Sequence, residues 1–295
     1  MTAYAFDWVD AFTDRPFGGN GCAVFQAAGG LGDEVCMALV RETSLTECTF
    51  LEPSTRADVK VRYYLADREV PFAGHPTIAT VASLLDRGLV SAGRVTLETR
   101  AGVIAVDIAP QDGTLPQIVM TQIAPAFRAR VAPARVAEVI GLEAGDIVGS
   151  PQIVTTGLPY CITVVHSASL LGKMRLNLSA MRAFSALYDR PDDPVMEPFV
   201  VALEGATARG HTYARHLMAP PSPAEDPFTG SATGCMVAYL WAEGLIASPK
   251  LIAEQGHGMG RPGHAVVEVL GPKDAISGVR VGGQGRVLMR GELRL

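Results

Sequence analysis

The feature that most constrains this chain is a stretch of eight residues that occurs twice. Glu69-Val70-Pro71-Phe72-Ala73-Gly74-His75-Pro76 returns as Glu225-Asp226-Pro227-Phe228-Thr229-Gly230-Ser231-Ala232. The offset of 156 residues persists downstream, where Thr77 matches Thr233, Val81-Ala82 match Val237-Ala238, Leu84 matches Leu240, and Gly88-Leu89 match Gly244-Leu245. From residue 69 to residue 90, 10 of 22 aligned positions are identical without a gap. A period this long is not that of a solenoid, whose repeats run to about 20–50 residues. It predicts a duplicated domain, in which two lobes bring equivalent turns to face one cleft.

Composition supports two ordinary lobes. The chain has 295 residues, 48% of them hydrophobic and 19% charged, enough apolar material for substantial cores and the wrong balance for disorder. Net charge is −5 and no Lys/Arg run occurs, which argues against a nucleic-acid or anionic-membrane partner. The first ten residues are strand-like and carry Asp7 and Asp10, unlike a signal peptide, and no run of 18 apolar residues is present to span a membrane. The five cysteines (Cys22, Cys36, Cys48, Cys161, Cys235) are scattered and lack C-x-x-C spacing. That pattern predicts reduced core thiols in a cytoplasmic protein.

Apolar periodicity predicts strands over residues 4–12, 22–25, 48–51 and 59–65, and a helix over 31–41. After each repeated turn, a charge-free apolar run closes at Gly88 or Gly244. A helix that is apolar or small on every side is normally enclosed, so two buried central helices are expected. Alternation resumes over 95–121. Residues 123–133 read as the crossing between lobes, followed by a helix near 136–141 and strands over 152–156 and 161–165. The segment 170–198 matches the first half poorly, 199–219 mirrors 48–66 loosely, and 265–270 and 279–295 read as strands. The expected lobes are residues 1–120 and 121–283, with a last strand over about 284–295 able to return to the first lobe. The fold class is α+β, with a strand-rich, barrel-like layer around a central buried helix in each pseudo-symmetric lobe.

Several familiar chemistries fail on spacing. Gly230-Ser231-Ala232-Thr233-Gly234 sets its serine one place too early for a nucleophile elbow. Gly256-His257-Gly258-Met259-Gly260 lacks a strand-turn-helix setting for a dinucleotide, and there is no Walker lysine motif. His211, His216, His257 and His264 follow no metal-binding spacing, so no metal is expected and these histidines read as surface or supporting groups.

What remains clusters at the repeated turns. His75 follows Gly74 at the start of one presumed helix, and Asp226 precedes the matching turn. Unsatisfied N–H groups at a helix start favour a carboxylate, so two such ends suit a small anionic substrate. Taken alone, His75 fits a cap-like hydrogen bond and Asp226 a turn-former equally well. Ser44-x-x-Glu47 is formally a capping box, yet the residues after it read as a strand rather than a helix. A carboxylate on the first residue of an apolar strand is desolvated, which raises its pKa and suits a general acid/base.

In order along the chain stand Asp10-Ala11-Phe12-Thr13-Asp14, Gly19-Asn20, Glu47-x-Thr49-Phe50, the two repeated turns, Gln255-Gly256, and Gly260-Arg261-Pro262. This series resembles the phenazine-biosynthesis isomerase family (PhzF-like) of the diaminopimelate-epimerase-fold superfamily, from about residue 4 to Gly291-x-Leu293. The resemblance implies two similar lobes with the active site between them, and a cofactor-free isomerase that forms a homodimer. It places the family's catalytic glutamate on Glu47, its histidine on His75 and its aspartate on Asp226. Gly74, Gly230 and Ser231 are then candidates to hold a substrate carboxylate, with Asn20 as a further polar contact. The implied chemistry is proton shuttling on a small carboxylate-bearing molecule such as trans-2,3-dihydro-3-hydroxyanthranilate.

Two alternatives stand beside it. One is a non-catalytic protein that binds a small acid, or a partner, on the same scaffold. The other is an amino-acid racemase or epimerase, but such relatives carry a cysteine at each turn, where this chain has Ala73 and Thr229. Other departures from the family pattern are Gly21 after Gly-Asn, Arg62-Tyr63-Tyr64-Leu65-Ala66 and Arg215-His216-Leu217-Met218-Ala219 at the usual R-x-F-x-P strand ends, and His264 after Pro262-Gly263.

Overall fold

The computed structural model describes residues 2–191 and 193–295. Its first half runs β1 (Ala3–Ala11), β2 (Asn20–Phe25), α1 (Asp33–Thr43), β3 (Cys48–Glu52), β4 (Val59–Tyr64), β5 (Glu69–Val70), α2 (Gly74–Asp86), β6 (Gly93–Thr99), β7 (Gly102–Ala109) and β8 (Gln117–Gln122). The second half runs β9 (Ala126–Arg130), α3 (Pro133–Ile140), β10 (Ile147–Thr155), β11 (Pro159–Val165), α4 (Ala168–Leu171), α5 (Leu178–Tyr188), β12 (Met196–Ala202), β13 (Thr212–Leu217), β14 (Glu225–Asp226), α6 (Gly230–Ala242), β15 (Lys250–Gln255), β16 (Gly263–Leu270), β17 (Gly278–Gly283) and β18 (Gly285–Arg294). The fold is mixed α+β, rich in strands and poor in helix.

The chain divides into two units. One comprises Met1–Thr121, Pro221–Pro223 and Gly282–Leu295; the other comprises Gln122–Pro220 and Ala224–Val281. In the first, β1 lies between β2 and the last strand, β18, antiparallel to both. Strand β2 continues parallel to β3, β3 antiparallel to β4, and β4 parallel to β6, which turns back through β7 and β8. In the second, β9, β10 and β11 run antiparallel, β11 pairs parallel with β12, and β13 joins β12 to β15.

The sequence repeat is a structural repeat. Strand β4 pairs with the two-residue β5, the chain turns into the 13-residue α2, and β6 then returns parallel to β4. Strands β13, β14 and β15 do the same around the 13-residue α6. In both helices all of the first eleven residues are buried, as their lack of a charged face requires. Both close with the same hydrogen bonds: Gly88 N–H to Leu85 O with Leu89 N–H to Leu84 O, and Gly244 N–H to Trp241 O with Leu245 N–H to Leu240 O. The glycines adopt φ of 68° and 70°, a left-handed conformation that an L side chain disfavours. An arginine fork also recurs: Arg62 grips Glu69 at 3.2 and 3.3 Å, and Arg215 grips Glu225 at 2.8 and 2.5 Å. Each guanidinium thereby pins the strand that leads into the turn.

Three local expectations need correction. Residues 123–133, read as a crossing, contain β9, which pairs with β10. Four of its five residues are exposed, so it shows none of the alternation that marks a half-buried strand. The helix expected over 31–41 runs from Asp33 to Thr43, two residues past Arg41, and Ser44 with φ of 54° closes it rather than opening a new one, in line with the strand expected after it. Glu47 stands one residue ahead of β3 rather than on its first position.

Candidate active site

In the first unit, the Gly19-Asn20 turn delivers Asn20 to the start of β2. Gly19 has φ of 53°, and a Cβ there would lie 2.0 Å from Ala11 O, so only glycine fits. Asn20 is buried, with Nδ2 at 3.1 Å from His75 Nδ1 and Oδ1 accepting from the Thr46 hydroxyl at 3.4 Å. His75 is the second residue of α2 and 2% exposed. Its Nδ1 also lies 3.2 Å from Glu47 Oε2, whose side chain is 13% exposed. Asn20 and Glu47 therefore converge on a single ring nitrogen of His75.

That convergence has a chemical consequence. Nδ1 holds either one proton or one lone pair, so carboxyl and amide share one site. Either a proton on Nδ1 is given to a Glu47 carboxylate, or a carboxylic acid gives its own proton to a bare Nδ1. The pair can thus carry one transferable proton next to a buried helix start. The turn is braced from below, where Thr77 Oγ1 meets the Tyr63 hydroxyl at 2.8 Å and donates to Ala73 O at 2.7 Å.

No thiol competes for this role. Burial pushes the Cys22 thiol well above its usual range, helped by the nearby Cys48 and by the charge of Glu47. Cys48 is pushed up to about 12, again chiefly by burial. All five cysteines are buried thiols, and Cys235 lies in the core of α6 with its pKa raised to about 11 by desolvation.

In the second unit, Asp226 ends β14 and pairs in register with His216 of β13. Thr229 occupies the N-cap position of α6 but does not cap it. Its hydroxyl instead donates to Asp226 Oδ2 at 2.6 Å and lies 3.3 Å from His216 Nδ1. Gln255 staples the turn: Oε1 accepts from Thr229 N–H at 3.0 Å, and Nε2 donates to Asp226 O at 2.7 Å. Ser231, at the second position of α6, shares a hydrogen bond of 2.8 Å with the Tyr160 hydroxyl. The carbonyl of Gly230 accepts from Gln122 Nε2 at 3.0 Å. Neither Ala73 nor Thr229 caps its helix through a side chain, so the first-turn N–H groups at Gly74 and Gly230 are the electropositive features of the two turns.

Glu47, His75, Asn20 and Gly74 thus form one group, and Asp226, Gly230 and Ser231 belong to a second. Sequence reasoning missed Gln255, Tyr160 and His216 as members of the latter. Gln255 was visible as part of the Gln255-Gly256 motif. His216 is no surface group, being 1% exposed. Aligning Arg215 with Arg62 puts it opposite Tyr63, and that position marks it as turned toward the helix start.

Comparison with known proteins gives a consistent picture. The family model for phenazine biosynthesis-like proteins, PhzC-PhzF, matches residues 9–291. The chain is 28% identical over 291 residues to the trans-2,3-dihydro-3-hydroxyanthranilate isomerase of Pseudomonas aeruginosa, covering 97% of this chain and 98% of that one. It resembles the crystal structure of a Bacillus anthracis phenazine biosynthesis protein of the PhzF family, with a TM-score of 0.85 at 26% identity and full coverage of both chains. A hydroxyproline epimerase from Agrobacterium vitis, solved with bound trans-4-hydroxy-L-proline, shares the fold at a TM-score of 0.69 and 15% identity, over 99% of this chain and 91% of that one. With a match spanning nearly its whole length, the chain belongs to the PhzC-PhzF family of phenazine biosynthesis-like proteins.

Proposed function

We propose that this protein is an isomerase that moves a proton on a small carboxylate-bearing substrate, with Glu47 as the shuttling acid/base and His75 and Asp226 completing the catalytic set. The observation that carries the reading is the 3.2 Å contact between Glu47 Oε2 and His75 Nδ1 at a largely buried position. A carboxyl group held against an imidazole is poised both to take and to return a proton. In the proposed reaction the Glu47 carboxylate removes a proton from one carbon, leaving an electron pair delocalised in the substrate. The resulting carboxylic acid returns a proton at another carbon, and the enol so formed becomes a ketone. Only a proton moves and the electrons stay in the substrate, so the chemistry calls for no cofactor.

His75 orients the Glu47 carboxyl group and stabilises whichever protonation state it holds. Asp226, as an acceptor, orients a hydroxyl or amino group of the substrate. The first-turn N–H groups at Gly74 and Gly230, and the Ser231 hydroxyl, supply donors for the carboxylate, with Asn20 as a further polar contact. Named relatives support the substrate class, since one acts on trans-2,3-dihydro-3-hydroxyanthranilate. Two-thiol epimerisation is disfavoured by Ala73 and Thr229 at the turns and by the burial of every cysteine.

The test is incubation with trans-2,3-dihydro-3-hydroxyanthranilate in deuterated water, followed by mass spectrometry. Isomerised product carrying solvent deuterium is expected. Tight binding with neither product nor exchange would favour a non-catalytic binding protein on this scaffold and refute the isomerase reading for this substrate.

A further inference from the structure

We propose that His216, Thr229 and Asp226 form a hydrogen-bonded relay in which His216, as its Nδ1–H tautomer, is a positioning residue for the Asp226 carboxylate. The Thr229 hydroxyl has one proton and two lone pairs to share among its neighbours. The Thr229 backbone N–H can only donate, so the Gln255 atom it meets at 3.0 Å is the amide oxygen. The Gln255 NH2 group is then the end that faces Asp226 O at 2.7 Å and Thr229 Oγ1 at 3.1 Å, and it donates to both. One lone pair of the Thr229 hydroxyl is thereby used.

One proton and one lone pair remain, for two neighbours. Asp226 Oδ2 lies at 2.6 Å and His216 Nδ1 at 3.3 Å. An ionised carboxylate can only accept, so the hydroxyl proton goes to Asp226 and Nδ1 must donate to the hydroxyl oxygen. A neutral ring protonated on Nδ1 is bare at Nε2. The far side of the ring agrees: Nε2 is buried and has no hydrogen-bond partner among the described residues. The Tyr160 and Phe199 rings pack on the imidazole, at 5.6 and 6.1 Å between centroids. The reversed arrangement, with Asp226 protonated and Thr229 donating to Nδ1, would place an orphaned N–H there. Buried N–H groups without partners are rarer than under-used acceptors.

Ring tautomer and carboxyl charge are therefore linked through one hydroxyl. Holding His216 as Nδ1–H holds Asp226 as an acceptor with Oδ2 fixed. The device is particular to this turn. At the equivalent place in the first copy stands Tyr63, whose hydroxyl meets Thr77 instead.

The tautomer is testable without any substrate. Full-length protein labelled with 15N-histidine contains six histidines, and His216 is assigned by the signal missing from His216→Asn. In the wild type at neutral pH, His216 is expected to show a protonated Nδ1 and a bare Nε2, and Thr229→Val is expected to remove that preference. A wild-type ring protonated on Nε2 or on both nitrogens, or a Thr229→Val ring still protonated on Nδ1, overturns the relay. The kinetic arm rests on the proposed isomerase reading. His216→Phe, which keeps the ring shape, should lower kcat on the order of tenfold with little change in KM. His216→Asn, whose amide N–H reaches the place of Nδ1, should recover most of that loss, whereas His216→Gln should not. Equal activity of the Phe and Asn variants overturns the positioning role. If the isomerase reading fails, the tautomer measurement still decides the relay.

Discussion

Replacing Arg87 by methionine tests how the helix bearing His75 is seated. Asp7 of β1 has no exposed surface, and its carboxylate accepts from Ser83 Oγ at 2.6 Å and from Arg87 Nε and Nη2 at 2.6 and 2.8 Å. Arg290 adds a more solvent-exposed contact at 3.3 Å. The cluster ties the C-terminal end of α2 to β1 and β18. Removing one partner of a buried ion pair costs roughly 3–5 kcal/mol, because the remaining charge stays desolvated. Here Ser83 and Arg290 still serve Asp7, so the expected loss is about 2–3 kcal/mol. In a domain of this size that lowers Tm by roughly 4–12 °C. Urea denaturation should show a lower midpoint at an unchanged slope, and Asp7→Asn combined with Arg87→Met should be less destabilised than the sum of the two single variants. A loss below about 1 kcal/mol for Arg87→Met, or strict additivity in the double variant, would refute a clamp that depends on the buried charge.

Two further predictions concern the second helix and the thiols. A Cβ at Gly234 would lie 1.8 Å from Gln122 Oε1, so Gly234→Ala should displace the amide that meets Gly230 O and Thr156. The variant should lose about 1–3 kcal/mol in denaturant titration despite alanine's higher helix propensity, and a stabilised variant would contradict this packing. Burial pushes Cys48 and Cys161 up to about 12 and Cys36 and Cys235 up to about 11, against 9.0 for an exposed thiol. The folded form therefore retains protons that the unfolded chain gives up, so this contribution to stability is intact below pH 9 and is lost as pH rises to about 11–12. At pH 8 a chromogenic thiol reagent should find no reactive cysteine until the protein is unfolded, and prompt native labelling would disprove this.

The repeated turns were readable because their constraints are local: a glycine, a proline and a charge-free helix that only burial can explain. Glu47 was readable for a similar reason, since Cys48-Thr49-Phe50-Leu51 reads as a strand and cannot be the helix that a capping box requires. Strand β9 was hidden because exposed residues such as Phe127 and Ala129 break the alternation that marks burial. His216 was hidden for a different reason. Its meaning depends on register with Asp226 across a strand pair and on a threonine hydroxyl at the end of the next turn. Those are non-local pairings, and a single sequence carries no periodic trace of them. The convergence of Asn20 and Glu47 on one ring nitrogen of His75 likewise joins three segments far apart in the chain.

In the proposed reaction the proton passes through Glu47. Glu47→Gln keeps the size and shape of the side chain while removing its ability to take a proton. Its incubation with trans-2,3-dihydro-3-hydroxyanthranilate in deuterated water, beside wild type, tests the claim directly once an unchanged unfolding midpoint has confirmed the fold. Loss of both product and solvent deuterium incorporation, with substrate binding retained, is the predicted result. Exchange at the wild-type rate would show that another group carries the proton.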